Sequence, residues 1–90
     1  MQIKFLKVDN NETFLLGYRL KLSATEQKLL YAIAQGGRSG VDDLLPLLTS
    51  GVCRGNVAVH INSINKKAEN ISGRKLVIYE AYQYKINPFM

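Results

Sequence analysis

Few residues of the chain are of types that carry out catalysis, and none has partners at a suitable spacing. His60, the only histidine, has no Cys, Asp or Glu three or four positions away, so it lacks the ligand set of a metal site. Cys53 is a thiol activated by Arg54 in one interpretation and a plain loop or core residue in the simpler one. The pair Asp42 and Asp43 suits acid–base chemistry or cation binding, but its place before a leucine-rich run favours helix capping. We therefore predict that the chain is not an enzyme and has no metal site and no cofactor.

A stretch in the C-terminal half has side chains suited to double-stranded DNA. The amides of Asn62 and Asn65 can donate to N7 of adenine and accept from its N6, and Val59 can contact a thymine methyl group. Lys66 and Lys67 can neutralise backbone phosphates, and so can Arg54 before them and Arg74 and Lys75 after them. On a duplex laid against this stretch, these groups would favour a site that contains A·T pairs.

The charge distribution also favours a polyanionic partner. The 90 residues carry 12 Lys and Arg against 7 Asp and Glu, a net charge of +5. Up to Cys53 six basic residues nearly balance five acidic ones, whereas from Arg54 onward six basic residues face only two acidic ones. Such a surplus is typical of nucleic-acid binding, although solubility alone can also explain it.

Length and composition indicate one soluble domain in a reducing compartment. Ninety residues suffice for one hydrophobic core and not for two. A single cysteine cannot form an internal disulfide, which fits a cytoplasmic location. The longest apolar runs have four or five residues, and lysines interrupt the N-terminal segment, so neither a membrane span nor a signal peptide is predicted.

The elements that would position these residues begin with an N-terminal antiparallel sheet. Its three strands are predicted at Ile3 to Val8, Glu12 to Leu16 and Arg19 to Leu22, which have β-type composition and are separated by turn residues. Leucines alternate with cations in the third run. One face of the sheet is therefore expected to contact the core and the other to contact solvent.

Two helices are predicted next. Ser23 and Glu26 have the spacing of a capping box, which begins the first helix. The pair Gly36-Gly37 ends that helix because glycine adopts positive φ. A shorter second helix is predicted after Gly40, and it tolerates Pro46 only in its first turn.

A third helix and a closing hairpin complete the chain. The helix is predicted from Asn56, as its N-cap, to Glu69, and the hairpin strands at Lys75 to Tyr79 and Gln83 to Asn87. Helical periodicity places Val57, Ile61, Ile64 and Ala68 on a buried stripe and Val59, Asn62, Ser63 and Lys66 on the opposite, exposed side.

Three stretches in this order resemble the OmpR/PhoB-type effector domain of bacterial response regulators. The first stretch, at Leu22 to Ala34, is LSATEQKLLYAIA, where the family has L-T-x-x-E-x-x-L-L. The second, at Val57 to Glu69, is VAVHINSINKKAE, where the family has V-D-V-H-I-x-R-L-R-K-K. The third, at Val77 to Ile86, is VIYEAYQYKI, where the family has the wing motif T-V-R-G-x-G-Y-R-L. The resemblance covers almost the whole chain. It implies an α+β winged helix-turn-helix with an N-terminal antiparallel sheet, three helices and a C-terminal β-hairpin wing, as a single domain over residues 1–90.

The resemblance implies a DNA-binding transcription regulator of a two-component system. The third helix would lie in the major groove and the wing against the neighbouring minor groove. Val59 would face bases, and His60 and Tyr84 would approach phosphates. The loop from Thr49 to Gly55 would contact RNA polymerase, and two copies would bind tandem half-sites. Family members also carry an N-terminal receiver domain, for which these 90 residues have no room, so the segment is either part of a longer protein or stands alone.

Several family arginines are absent, which leaves other functions open. Asn62, Ser63 and Asn65 stand where arginines are common, and Glu80 stands where a minor-groove arginine is usual. The alternative is therefore a winged helix that has lost DNA readout and acts as a protein-interaction module, and a third possibility is RNA binding.

The hairpin tyrosines stack on bases in one interpretation and pack across strands, Tyr82 excepted, in the other. The predicted DNA-binding residues are Arg54, Asn56, Val59, His60, Asn62, Ser63, Asn65, Lys66, Lys67 and Tyr84.

Overall fold

The N-terminal part of the molecule is an antiparallel sheet of four strands that follow one another in chain order. The structure is a computed structural model that describes residues 2–3, 5–9, 11–36, 40–44 and 55–87. The predicted sheet is confirmed with one correction, since the run from Ile3 to Val8 is two paired strands and not one. The four strands are β1 (Gln2–Ile3), β2 (Leu6–Val8), β3 (Thr13–Leu15) and β4 (Tyr18–Leu20).

The first run is divided because its apolar residues change phase. Phe5 and Leu6 are adjacent, so a continuous strand would turn one of them to the solvent side of the sheet. The turn lets Leu6 and Val8 face the core, while Phe5 is half-buried and its carbonyl accepts a hydrogen bond from the Leu16 N–H at 2.9 Å. Buried residues alternate with exposed or half-buried ones along β2 and β3, which confirms the one-sided sheet.

Helix α1 (Ala24–Ala34) begins at the predicted capping box. The Glu26 N–H donates to the Ser23 hydroxyl at 3.2 Å, and the Ser23 N–H donates to the Glu26 carboxylate at 2.8 Å. These two bonds satisfy backbone donors that an α-helix leaves free at its start. Gly36, with a φ of +78°, follows the helix and reverses the chain, as predicted.

A buried polar chain joins α1 to the sheet. The Thr13 hydroxyl donates to the Gln27 side-chain oxygen at 2.9 Å, and the Gln27 amide donates to the Asp9 carbonyl at 2.6 Å. Thr13 is fully buried and Gln27 nearly so. Because a buried polar group is costly without a partner, these bonds fix how α1 lies across the sheet.

Helix α2 (Val41–Leu44) begins after Gly40, as predicted. The Asp43 carboxylate accepts a hydrogen bond from the Gly40 N–H at 3.2 Å, which confirms the capping interpretation for this residue. The rest of the predicted second helix, with Pro46, lies outside the described residues.

Helix α3 (Gly55–Ser72) is longer than predicted at both ends. Asn56 lies inside the helix, so the prediction that it is the N-cap is wrong. At the C-terminal end, Ile71 continues the buried stripe three residues after Ala68 and packs against the core, which favours one more turn. Gly73, with a φ of +76°, ends the helix.

The chain closes with a hairpin of two antiparallel strands, β5 (Val77–Glu80) and β6 (Gln83–Ile86). The pairing of Glu80 with Gln83 leaves a two-residue turn, one residue shorter than predicted. Both turn residues, Ala81 and Tyr82, have positive φ, as a two-residue hairpin turn of this kind requires.

One hydrophobic core lies between the sheet, the helices and the hairpin. Helix α1 packs against both α3 and β6. The predicted buried stripe of α3 is confirmed, since none of its four residues is more than 3% exposed. Within the described ranges, no helix has the length and apolar character needed to cross a bilayer. The core is formed by Leu6, Val8, Leu15, Leu20, Leu29, Leu30, Ile33, Ala34, Leu44, Val57, Ile61, Ile64, Ala68, Leu76 and Val77.

Candidate nucleic-acid interface

Hydrogen bonds of the Asn65 side chain join one flank of α3 to the hairpin. The Asn65 amide donates to the Val77 carbonyl at 3.0 Å, and the Asn65 side-chain oxygen accepts from the Val77 N–H at 2.8 Å. Asn65 is 7% exposed and Val77 is 2% exposed, so both bonds lie inside the protein. This placement corrects the prediction that Asn65 contacts adenine, because both polar groups of its side chain are already paired.

The first turn of α1 holds the other flank. The Lys67 ammonium donates to the Glu26 carboxylate at 2.6 Å, and the Glu26 side chain is only 4% exposed. Burial by itself raises the pKa of Glu26, but the hydrogen bonds from Lys67, the Ser23 backbone and the Ser63 hydroxyl lower that pKa to about 2. The carboxylate is therefore ionised at neutral pH, and it draws Ser63 and Lys67 toward α1.

This arrangement gives Ser63 and Lys67 a role in holding α3, and their contacts with DNA stay a prediction. Both were expected on the DNA-facing side, but both are half-buried and interact with Glu26. A lysine whose charge already pairs with a buried carboxylate releases fewer counterions when it meets a phosphate. Ser63 and Lys67 therefore belong to the support of α3 rather than to its free face.

Between the two held flanks, α3 presents a narrow exposed stripe. Val59 is 65% exposed, and Asn62 and Lys66 are also exposed. Residues spaced i, i+3 and i+7 lie above one another on a helix, so the three side chains form one row. We call this row, Val59, Asn62 and Lys66, the α3 stripe. It combines an apolar group, an amide and a cation, and these are groups that can contact base edges and phosphates.

A shallow depression of about 230 Å³ borders the α3 stripe on the side of the hairpin. Lys66 and Lys75 contribute cations to it and Glu69 contributes one carboxylate. Lys75 is exposed at the base of the hairpin; the sequence indicated it as a possible phosphate contact but did not place it in the predicted DNA-binding set. Two lysines around one depression can hold a single anionic group such as a phosphate oxygen. The depression is lined by Asn62, Asn65, Lys66, Glu69 and Lys75.

The hairpin contains two aromatic rings in contact and one ion pair with no net charge. The rings of Tyr79 and Tyr84 lie 4.8 Å apart between centroids, and burial raises the pKa of the half-buried Tyr84. This contact confirms cross-strand packing of these two tyrosines. The Lys85 ammonium donates to the Glu80 carboxylate at 2.9 Å, so the one cation of the described hairpin strands is paired.

The remaining predicted site residues are placed only in part. His60 is half-buried beside the α3 stripe. Arg54, Cys53 and the loop from Thr49 as far as Arg54 lie outside the described residues, as does the side chain of Asn56. The structure therefore brings together Val59, Asn62 and Lys66 from the predicted set and adds Lys75 to them.

Comparisons with known proteins agree with this architecture. No protein-family model matches the sequence, and no curated protein matches it. A solved structure does: the crystal structure of the DNA-binding domain of the response regulator AdeR in complex with an intercistronic region. It matches with a TM-score of 0.83 and 17% sequence identity, over 97% of this chain and 98% of that chain. The chain has the same fold as that domain, a winged helix.

In this winged helix, the hairpin β5–β6 is the wing and α3 is the third helix. The predicted α+β architecture is thereby confirmed. The residues that hold the third helix, Glu26 and Asn65, were assigned other roles from the sequence. A capping box explains Glu26 completely within α1, so nothing local signals its second partner 41 residues away. For Lys75, the sequence signals of a role at the interface were its positive charge and its position just before the hairpin.

Proposed function

We propose that this winged helix binds double-stranded DNA in a sequence-specific manner and regulates transcription. The observation that carries the proposal is the α3 stripe, which stays exposed while both flanks of the helix are held by the rest of the fold. A rigid, exposed helix face with an amide and a cation is what major-groove readout requires. The AdeR domain, which has the same fold, was solved with an intercistronic region, and this supports the proposal.

The chemistry of the α3 stripe favours a site with A·T pairs. The Asn62 amide can pair with N6 and N7 of one adenine, and Val59 can contact the methyl group of a nearby thymine. Lys66 and Lys75, which both line the same depression, would neutralise one or two phosphates. His60 and Tyr84, both half-buried, would approach the backbone at the edges of the interface.

Few cations are unpaired in the described part of the proposed interface, so binding through these contacts by one copy should be modest. With Lys67 paired to Glu26 and Lys85 paired to Glu80, the exposed lysines at the described interface are Lys66 and Lys75. Each phosphate contact contributes about 0.9 to the slope of log K against log salt, so these two give a slope of about −2. Two copies on tandem half-sites would compensate for this weak single contact. RNA polymerase would be the partner of the loop from Thr49 to Gly55.

Selection from a pool of random duplexes, followed by fluorescence anisotropy on the enriched duplex, tests the proposal. The Asn62→Ala variant should relax preference at one base pair by about 1–3 kcal/mol. The Lys66→Ala variant should weaken binding to all duplexes and reduce the salt slope by about 0.9. Lys28→Ala removes an exposed lysine from α1 and is the matched control, which should leave both quantities unchanged.

A second function, a protein-interaction module without DNA readout, is favoured by one observation. The ion pair between Glu80 and Lys85 leaves the wing without a free cation among its described residues. In that case no duplex would be enriched, and anisotropy at low salt would show no salt-dependent binding at tens of micromolar. The same experiment therefore separates the two functions.

A further inference from the structure

The tip of the wing presents an aromatic ring to solvent on a constrained backbone. Tyr82 is 86% exposed, the highest value among the large hydrophobic residues that the structure describes. Ala81 and Tyr82 have φ of +54° and +64°, in the left-handed region that residues with a side chain rarely adopt. The two-residue turn requires this conformation, so the pairing of the two strands fixes the backbone at Tyr82 although neither turn residue is glycine.

The backbone of the tip is held by the pairing of both strands and lies close to the segment before α2. The strands pair up to Glu80 and Gln83, directly beside the turn, and the rings of Tyr79 and Tyr84 pack together one pair further down. A β-carbon added at Gly40, before α2, would lie 3.4 Å from the Tyr82 carbonyl oxygen, so the backbone of the tip lies close to that segment. The Tyr82 ring therefore projects from a tip whose backbone is held in place.

Charge cannot explain how this wing would contact DNA. The described hairpin residues include one acid and one base, Glu80 and Lys85, which pair with each other at 2.9 Å. The wing thus offers a phosphate backbone no net positive charge. The group at its tip that can contribute contact area is the Tyr82 ring, and an aromatic ring packs against sugars and base edges without releasing counterions.

We propose that Tyr82 is the residue through which the wing contacts DNA, as an aromatic wedge in the minor groove beside the base pairs read by the α3 stripe. Side chains with apolar surface enter the minor groove between base steps and partly unstack them. This inference rests on the proposed function, because it requires a duplex bound by α3. It adds a non-ionic contact on the wing to the ionic and hydrogen-bonding contacts of the helix.

The enriched duplex and a salt series test this contact. The Tyr82→Ala variant should bind about 10-fold more weakly with an unchanged salt slope, whereas Lys66→Ala should change the slope. The Tyr82→Phe variant keeps the ring and should bind within about twofold of the unaltered chain. Tyr18→Ala removes a 66% exposed tyrosine from the other sheet and is the matched control, which should bind normally. Circular dichroism of each variant confirms that the fold is retained.

A second readout locates the ring directly. The chain has no tryptophan, so Tyr82→Trp installs a single fluorescent reporter at the tip. Saturation with the duplex should quench the emission of this tryptophan or shift it to shorter wavelength. Unchanged emission on a duplex that is demonstrably bound, or normal binding by Tyr82→Ala, overturns the inference and leaves the proposed function standing. Tighter binding to the separated single strand than to the duplex also overturns it. Failure of the unaltered chain to bind any duplex overturns the proposed function itself.

Discussion

Replacement of Asn65 by alanine tests whether this residue stabilises the fold by holding α3 rather than by contacting DNA. The variant loses two hydrogen bonds, of 2.8 and 3.0 Å, to a residue that is 2% exposed. Each bond contributes about 1 kcal/mol, and each backbone group left buried without a partner costs about 1–3 kcal/mol. Because Asn65 also lines the open depression beside α3, water can enter part of the space that its side chain leaves, and we expect a loss of about 3 kcal/mol in the free energy of unfolding. For a domain of this size that is about 12–24 °C in Tm.

Urea unfolding and thermal melts measure this loss, and amide hydrogen exchange locates it at Val77, whose N–H should exchange faster than those of the central core. Asn62→Ala is the matched control on the same helix. It removes the same side chain from an exposed position, so it should change stability by less than about 0.5 kcal/mol while it impairs DNA binding. The reasoning is refuted if Asn65→Ala melts like the unaltered chain, or if the two variants lose equal stability.

Three further perturbations follow from the described contacts. Because the pKa of Glu26 is lowered to about 2, its ionised form stabilises the fold above about pH 4.5, and this contribution is lost as the pH falls from there toward 2. Urea unfolding at pH 7 and pH 2.5 should therefore show Glu26→Gln to be less stable by about 2–3 kcal/mol at pH 7 and by less than about 1 kcal/mol at pH 2.5, where folded chains still keep part of Glu26 ionised, and a constant difference would contradict this. Ala81→Gly should stabilise the chain by about 0.5–1 kcal/mol, since glycine adopts a φ of +54° without strain, and a lower Tm would show that the turn is not strained. Leu16→Asn, at a φ of +52° in the turn between β3 and β4, should raise Tm by a few degrees, because asparagine tolerates this region and the leucine side chain is 52% exposed.

Features that depend on neighbouring residues were predictable from the sequence. The capping box needs only Ser23 and Glu26, three positions apart, and the buried stripe of α3 follows from helical periodicity alone. The order of strands, helices and hairpin followed for the same reason. The division of the first strand was missed, although the adjacent apolar residues Phe5 and Leu6 already signalled a change of phase.

Features that depend on distant partners were not predictable. Asn62 and Asn65 are the same residue type on the same helix, and only the position of Val77 gives Asn65 two buried hydrogen bonds while Asn62 stays exposed. The same holds for Lys66 and Lys67, since Glu26, 41 residues before Lys67, determines which of the two charges is free. Composition counts such lysines equally, so it overstates the positive charge available for phosphates.

The α3 stripe also makes the chain a scaffold for protein engineering. The residues that hold the third helix and those that would read bases are different residues, so one set can be varied without loss of the other. Randomising Val59, Asn62 and Lys66 together samples 8,000 combinations, about 20³, at positions that the core does not constrain. Such a library would yield proteins with one architecture and a range of operator preferences.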